Sequence, residues 1–220
     1  MQPQAGTAQI FVVSAPSGVG KTTIVQSVLP EWPDVKFSVS CTTRLPRPGE
    51  TDGHSYRFLS REEFLEGIPA GRFVEWAEVH GEYYGTDRNQ VERWLSEGLD
   101  VLLDIDVQGA RRIRCTYPSA HTIFILPPSL EILVERLRNR GTESPEQLEL
   151  RLAAAHREMQ DAPWYDFIIV NDHLDEAVAD FVAILRACRC SSAVRSPRWK
   201  PLLFPDTPQS LRPRPQDGRA

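Results

Sequence analysis

The segment SAPSGVGKTT, residues 14–23, has the residue types and spacing of a phosphate-binding loop, because it joins an apolar run to a helical pattern. Gly18 and Gly20 allow consecutive backbone N–H groups to turn inward, and the following helix adds its positive end. Lys21 is expected to reach the outer phosphates of a nucleotide, and Thr22 to offer its hydroxyl to Mg²⁺. The residues predicted to bind the triphosphate are Ala15, Pro16, Ser17, Gly18, Val19, Gly20, Lys21, Thr22 and Thr23.

Ala15 stands where the usual phosphate-loop pattern has its first glycine. Alanine keeps a small side chain, but it has less backbone freedom than glycine. The alternative interpretation of the segment is a turn that is glycine-rich without binding a ligand. A phosphate loop also leaves the enzyme class open, since GTPases, motors and small-molecule kinases all use one.

Two carboxylates, Asp104 and Asp106, lie at the end of the apolar run VLLDID. Their spacing of two places both side chains on the same side of a strand, at the carboxyl end where open α/β sheets bind ligands. Asp104 is predicted to lie near Mg²⁺ or its water ligands, and Asp106 nearer a second ligand. The alternative is that the pair caps the helix that follows.

The elements that must position these residues alternate between short apolar strands and amphipathic helices. The predicted strands are QIFVVSA (9–15), KFSVSC (36–41), DVLLDID (100–106), HTIFIL (121–126) and DFIIV (166–170). Runs this apolar are typical of parallel strands buried on both faces, and parallel strands need helical crossovers. The sequence therefore predicts an α/β fold with a parallel five-stranded sheet flanked by helices.

Two segments interrupt this alternation. Residues 42–98 are rich in proline, glycine and short alternating runs, which predicts a small mixed subdomain inserted between core segments 9–41 and 99–190. The stretch RGTESPEQ, residues 140–147, separates two helical patterns, and Ser144 has the position of a cap on the second. A short hinged loop between helices is expected there.

The composition bounds the kind of protein. The chain has 220 residues, 41% of them hydrophobic, which is enough for one substantial core. A net charge of −5 argues against general nucleic-acid binding. Residues 191–220 hold six basic residues against two acids, and six of the 18 prolines, so a mostly disordered tail is predicted beyond a domain of residues 1–190. The alternative for the tail is contact with a partner or RNA.

The sequence also carries expectations about location. No apolar run reaches the roughly 18 residues of a membrane helix, and the N-terminal segment lacks the features of a signal peptide. The four cysteines fit neither a zinc pattern nor a disulfide framework, so reduced thiols are expected. These features predict a cytoplasmic protein with neither a membrane nor a nucleic acid as partner.

Seven stretches of the chain resemble those of guanylate kinases, enzymes that transfer the γ-phosphate of ATP to GMP. They follow the family's order over roughly residues 9–188 and are SAPSGVGKTT, FSVSCTTRLPRPGE, DGHSYRF, FVEWAEVHGEYYGT, VLLDIDVQG, RLRNRGTES and IIVND. The resemblance implies a parallel core that carries the phosphate loop, an inserted GMP-binding subdomain and a helical lid at about residues 136–157. It also implies Mg²⁺ as cofactor, with ATP as donor and GMP or dGMP as acceptor.

The resemblance places the acceptor site in and around the inserted subdomain. Arg44 and Arg47 match the arginines for the GMP phosphate, since guanidinium groups form charge-assisted bonds to a dianion; an exposed basic turn is the alternative. Glu75 and Asp106 match the carboxylates that read guanine's N1–H and amine, whereas adenine has no hydrogen at N1. The GMP-binding residues implied are Ser40, Arg44, Arg47, Tyr56, Glu75, Tyr84, Thr86 and Asp106.

The lid implied by the resemblance depends on three arginines that are expected to close over the phosphates. Arg136 and Arg140 are four residues apart and share a helix face, and Arg151 lies in the helix beyond the hinge. Because the acceptor is already an anionic phosphate oxygen, cations and positioning are sufficient and no general base is required. Asn171 matches a family position beside the adenine of ATP, with a helix cap as the alternative. The catalytic residues implied are Lys21, Arg44, Arg136, Arg140 and Arg151.

Two other functions stay open on the sequence. One is a non-catalytic guanylate-kinase-like module that binds proteins, and the other is a phosphate-loop kinase of a phosphorylated sugar. The intact phosphate loop and the two subdomain arginines argue against the first. Glu75 together with GEYYGT, residues 81–86, argues against the second.

Overall fold

A computed structural model describes residues 8–79, 81–139, 145–195 and 203 of the chain. The strands are β1 (Ile10–Ser14), β2 (Val35–Ser38), β3 (Cys41–Thr42), β4 (Arg57–Phe58), β5 (Phe73–Val79), β6 (Glu82–Asp87), β7 (Asp100–Asp104), β8 (His121–Leu126) and β9 (Phe167–Val170). The α-helices are α1 (Lys21–Val28), α2 (Arg61–Gly67), α3 (Arg88–Ser96), α4 (Val107–Thr116), α5 (Leu130–Asn139), α6 (Pro145–Met159) and α7 (Leu174–Arg189).

The core is a five-stranded parallel sheet in the order β2-β7-β1-β8-β9. All five residues of the central strand β1 are buried, because helices cover both faces of the sheet. Phe11 and Val13 pack on one face in a cluster that includes α1, α5 and α7, and Val12 packs on the other face with α3 and α4. The predicted α/β fold, with its five-stranded parallel sheet flanked by helices, is confirmed.

A second, mixed sheet has the order β4-β3-β6-β5. β5 and β6 form an antiparallel hairpin, and β3 pairs antiparallel with β6 and parallel with β4. Cys41, Phe64 and Phe73 form its small buried cluster. Helix α2 begins with a capping box, in which Ser60 accepts from the Glu63 amide and the Glu63 side chain accepts from the Ser60 amide.

One predicted strand was wrong at its carboxyl end. The run KFSVSC, residues 36–41, was expected to be a single strand, but β2 ends at Ser38, where its pairing with β7 ends. Cys41 pairs instead with Gly85 of the second sheet. The two strands pair with different sheets, and this long-range pairing cannot be seen in the run of residues 36–41.

Several predicted features fall wholly or partly outside the described residues. Helix α5 ends at Asn139 and α6 begins at Pro145, so the hinge loop, Arg140 and the Ser144 cap are not among them. Of the predicted tail, residues 191–195 and 203 are described; Arg195 donates to the carbonyl of Arg189. The four cysteines are free thiols. No helix within the described ranges is long and apolar enough to cross a membrane.

Candidate active site

The phosphate loop connects β1 to α1 at the carboxyl edge of the parallel sheet. Gly18 and Gly20 have φ values of +89° and +98°, which side-chain-bearing residues rarely adopt. Gly20 is the residue before the first turn of α1 and supplies no side-chain cap to it. The first N–H groups of α1 are therefore available to an anion at the position where the helix dipole favours one.

A cavity of about 390 Å³ lies between the phosphate loop and the second sheet. Its lining combines the two predicted nucleotide sites: Ser14, Ala15, Pro16, Ser17, Gly18, Gly20, Lys21, Thr22, Ser40, Tyr56, Glu75, Ala77, Val79, Tyr84, Gly85, Asp104, Ile105, Asp106, Val107 and Glu158. Predicted residues from two distant parts of the chain thus meet in one space. The residues predicted for these two sites that do not line it are Val19, Thr23, Arg44, Arg47, Thr86 and Asn171. Such a concave site with several convergent polar groups is the usual form of a small-molecule site.

Lys21 forms an ion pair with Asp104, which ends β7. Both side chains are about one-fifth exposed, so the pair lies at the wall of the cavity. Asp106 also lines the cavity, and its carboxylate accepts a hydrogen bond from the Gly109 amide at 2.7 Å. The capping alternative therefore applies to Asp106, which caps α4 while remaining at the site.

Glu75 of β5 is a buried carboxylate at the second-sheet wall of the cavity, and it accepts a hydrogen bond from the Thr86 hydroxyl at 2.6 Å. Burial raises the pKa of Glu75 to about 7, and the nearby charge of Asp106 adds to the increase, while the Thr86 hydrogen bond opposes it. Gly109 leaves room for this carboxylate, since a Cβ there would lie 2.7 Å from Glu75 Oε2. The result is a buried carboxylate at the cavity wall, with oxygens that can accept hydrogen bonds from a ligand.

Arg44 does not itself line the cavity, but three contacts hold it beside Tyr56, which does. Its guanidinium lies 5.2 Å from the centre of the Tyr56 ring and donates to Glu50 Oε1 at 2.8 Å and to the Leu45 carbonyl at 2.7 Å. The Glu50 contact raises the pKa of Arg44 and lowers that of Glu50. Arg47 is exposed, and its amide donates to the other oxygen of Glu50.

A comparison with known protein families decides what this arrangement is. The model of the family described as guanylate kinase matches residues 7–188, which include both sheets and every residue of the cavity. The chain belongs to the guanylate kinase family. Its resemblance to that family, carried by seven short stretches of sequence, is confirmed over most of the chain.

Individual guanylate kinases match over most of their length. The guanylate kinase of Symbiobacterium thermophilum is 51% identical over 185 residues, which cover 84% of this chain and 88% of that protein. The guanylate kinase of Synechocystis sp. is 50% identical, with 80% and 93% covered. The crystal structure of guanylate kinase from Anaplasma phagocytophilum has a TM-score of 0.76 and 33% identity, and covers 94% of this chain and 100% of that one.

Asn171, which the guanylate kinase resemblance assigned to ATP, and Arg136, which it assigned to the lid, both contact the backbone of the phosphate loop. The Asn171 amide donates to the Val19 carbonyl at 2.7 Å, and Arg136 donates to the same carbonyl at 3.3 Å. Arg136 also donates to the Asn171 carbonyl at 3.0 Å. Arg151 is in α6, and Arg140 is outside the described residues. The closure of these arginines over the phosphates stays a prediction.

Sequence reasoning missed two carboxylates of this guanylate kinase site, Glu50 and Glu158. Glu158 of α6 lines the cavity, and burial raises its pKa, with Asp106 adding to the increase and Lys21 opposing it. Its signal was present in the sequence: it follows Arg151 by seven residues, which places both on one stripe of α6. The signal for Glu50 was its position three residues after Arg47, a spacing that closes a turn.

Proposed function

We propose that this guanylate kinase family member transfers the γ-phosphate of ATP to GMP inside the cavity between its two sheets. The single observation that carries the proposal is the composition of that cavity. Lys21 of the phosphate loop and Glu75, Tyr56 and Tyr84 of the second subdomain line the same space. A donor held by the loop and an acceptor held by the second sheet would therefore meet within it.

The acceptor half of the cavity suits GMP. Glu75 and Asp106 would accept from guanine's N1–H and exocyclic amine, with Thr86 orienting the Glu75 carboxylate. AMP would leave the buried Glu75 acceptor opposite a ring nitrogen without hydrogen, which costs more than a lost surface contact. Arg44 and Arg47 would hold the phosphate of GMP together with Tyr56 and Tyr84, and Ser40 would contact the nucleotide from the end of the core.

The donor half suits the phosphates of ATP and a divalent cation. Thr22 and Asp104 both line the cavity beside Lys21, and a hydroxyl with one carboxylate is a set of hard oxygen donors. Mg²⁺ usually takes few protein ligands and completes its shell with phosphate oxygens and water, so these two residues fit it. When bound, Mg²⁺ would neutralise charge on the phosphates. Asn171 would lie near the adenine.

Phosphoryl transfer in this site needs positioning and positive charge. An oxygen of the GMP phosphate attacks the γ-phosphorus of ATP, the bond from that phosphorus to the β-phosphate oxygen breaks, and ADP and GDP result. Lys21 and Arg44 would stabilise the two reacting ends, and Arg136, Arg140 and Arg151 the transferred group. No proton has to leave the acceptor, so no side chain is assigned as a base.

We also propose a function for each segment of the chain. Residues 42–98 would be the GMP-binding subdomain and residues 136–157 the lid, within a kinase domain of residues 1–190. The position of the second sheet, built from residues 41–87, supports the first assignment. A cytoplasmic location and small-molecule partners are supported by the four free thiols and the net charge of −5.

The test is a coupled kinase assay with ATP and each of GMP, dGMP, AMP, CMP and UMP. We expect turnover of GMP, with dGMP as a further acceptor, and at least a hundredfold lower kcat/KM for AMP, in line with the discrimination of sites that hydrogen-bond their substrate. Equal turnover of AMP and GMP would reject the guanine assignment. Absence of turnover, together with binding of at most one of Mg·ATP and GMP in a titration, would revive the interaction-module alternative, which the matches to guanylate kinases do not favour.

A further inference from the structure

Two side chains from outside the phosphate loop donate hydrogen bonds to one of its backbone carbonyl groups. The carbonyl oxygen of Val19 accepts from the side-chain amide of Asn171 at 2.7 Å and from the guanidinium of Arg136 at 3.3 Å. Asn171 directly follows β9 and Arg136 lies in α5, so two separate elements hold the same atom. Val19 and Asn171 are both buried, which keeps water from replacing these donors.

This contact fixes the direction of the next N–H group. In a trans peptide the carbonyl oxygen and the following N–H point in opposite directions, and the described chain has no cis peptide bonds. Holding the Val19 oxygen against Asn171, behind the loop, therefore turns the Gly20 N–H toward the cavity. That N–H is one of the groups expected to bind the donor phosphates.

Glycine at position 20 is required by the same arrangement. A Cβ on Gly20 would lie 2.6 Å from the Asn171 amide nitrogen, and the φ of +98° excludes most side chains. Asn171 is itself held in place, since its backbone N–H donates to the Leu126 carbonyl at 2.8 Å and its carbonyl accepts from Arg136 at 3.0 Å. The loop, the end of β9 and α5 thus form one hydrogen-bonded unit.

We propose that Asn171 and Arg136 are positioning residues that set the phosphate loop by holding the Val19 carbonyl away from the donor phosphates. In this role Asn171 affects the triphosphate whether or not it contacts the base, and Arg136 acts through the loop whether or not it also contacts the transferred phosphate. The inference deepens the proposed function, because it rests on the loop binding the phosphates of ATP. It differs from both roles that the sequence suggested for these residues.

The discriminating probe is inorganic tripolyphosphate, which has the phosphates of ATP and no base. Isothermal titration should show that Asn171→Ala and Asn171→Asp weaken tripolyphosphate and ATP by the same factor, about tenfold for the loss of a hydrogen bond to a buried carbonyl. Arg136→Met should do the same, and Arg136→Lys should recover part of the loss. GMP affinity should change less than twofold, which also reports that each variant is folded.

The control is Asp172→Asn, which changes the next residue, a mostly exposed carboxylate. If Asn171 acts only on adenine, its variants will weaken ATP and leave tripolyphosphate unchanged, and the proposal is overturned. If Arg136 acts only on the transferred group, Arg136→Met will lower kcat without changing the affinity for ATP or tripolyphosphate. That result overturns the positioning role proposed for Arg136. Because ATP and tripolyphosphate binding do not depend on the acceptor, these measurements stand even if the acceptor is not GMP, and the melting temperature then reports that each variant is folded.

Discussion

Lys21 and Asp104 pair with each other at the wall of the cavity, so the lysine expected to bind ATP already has an anionic partner. A phosphate group that enters the site must compete with this carboxylate for the same ammonium. Arg44 and Glu50 repeat the arrangement at the acceptor end. Each proposed phosphate site therefore carries its own carboxylate, which a bound nucleotide phosphate would have to replace as the partner of the cation.

Asp104→Asn should affect ATP in opposite directions with and without Mg²⁺. In the presence of a chelator, ATP should bind several-fold more tightly, because the competing carboxylate is gone. With Mg²⁺, kcat should fall about 10–100-fold, because a group that orients the cation is lost. Titration and a coupled assay measure the two effects, with Asp172→Asn as control. If ATP affinity without Mg²⁺ fell along with kcat, the result would contradict competition between Asp104 and phosphate for Lys21.

The kcat/KM for GMP should decrease as the pH falls below about 7, the value to which burial raises the pKa of Glu75. Only the ionised carboxylate can accept from both guanine donors, so each pH unit well below 7 should cost about tenfold. Glu75→Gln should have a low kcat/KM with a flat profile between pH 5.5 and 8. If the kcat/KM of the wild type does not change with pH across this range, Glu75 is not the carboxylate that recognises guanine.

Glu75 should also make stability depend on pH. Its pKa is raised in the folded state, so ionisation favours the unfolded chain, and stability falls as the pH rises from 4.5 through 7. Glu75→Gln should therefore gain stability over the wild type with rising pH, up to about 1–3 kcal/mol at pH 8. Urea unfolding at pH 5 and pH 8 gives the difference. If Glu75→Gln is more stable than the wild type by the same free energy at both pH values, the cause is packing and not ionisation.

Arg44→Met should raise the KM for GMP about 10–100-fold and leave the ATP affinity unchanged, since a hydrogen-bonded cation at the acceptor phosphate is lost. Arg61→Met is a matched control in the same subdomain. Arg61 also lies over a tyrosine ring, 4.7 Å from the centre of Tyr83, but Tyr83, unlike Tyr56, does not line the cavity. The control should change the KM for GMP less than twofold. A similar increase in the KM for GMP in both variants would indicate a general effect on the second sheet.

A chain shortened to residues 1–195 should keep its kcat and both KM values. Among the described residues, Arg189 is the last whose side chain contacts the core: it donates to Asp100 at 2.6 Å and lies 4.8 Å from the centre of the Trp32 ring. Arg189→Gln in the full chain should lower the melting temperature, because Asp100 would remain buried without its cation. A tenfold loss of turnover on truncation would assign a function to residues 196–220.

The five core strands and the phosphate loop could be read from the sequence because their signals are local. Apolar residues in β1 and β8 follow one another within a few positions, and the glycines of the loop reveal the backbone that only they adopt. The same approach misplaced the end of β2, where Cys41 belongs to the other sheet. It also assigned Arg136 and Arg140 to one helix face without showing what that face contacts.

By itself, the sequence determined the family, the parallel fold and the types of group that face a nucleotide, since each of these depends on neighbours along the chain. Only the tertiary structure decided that Asp104 pairs with Lys21, that Glu158 enters the cavity and that Arg136 and Asn171 hold the Val19 carbonyl. These partners are 83 to 152 residues apart or come from different elements. Their contacts depend on how strands and helices pack, and no local pattern encodes that.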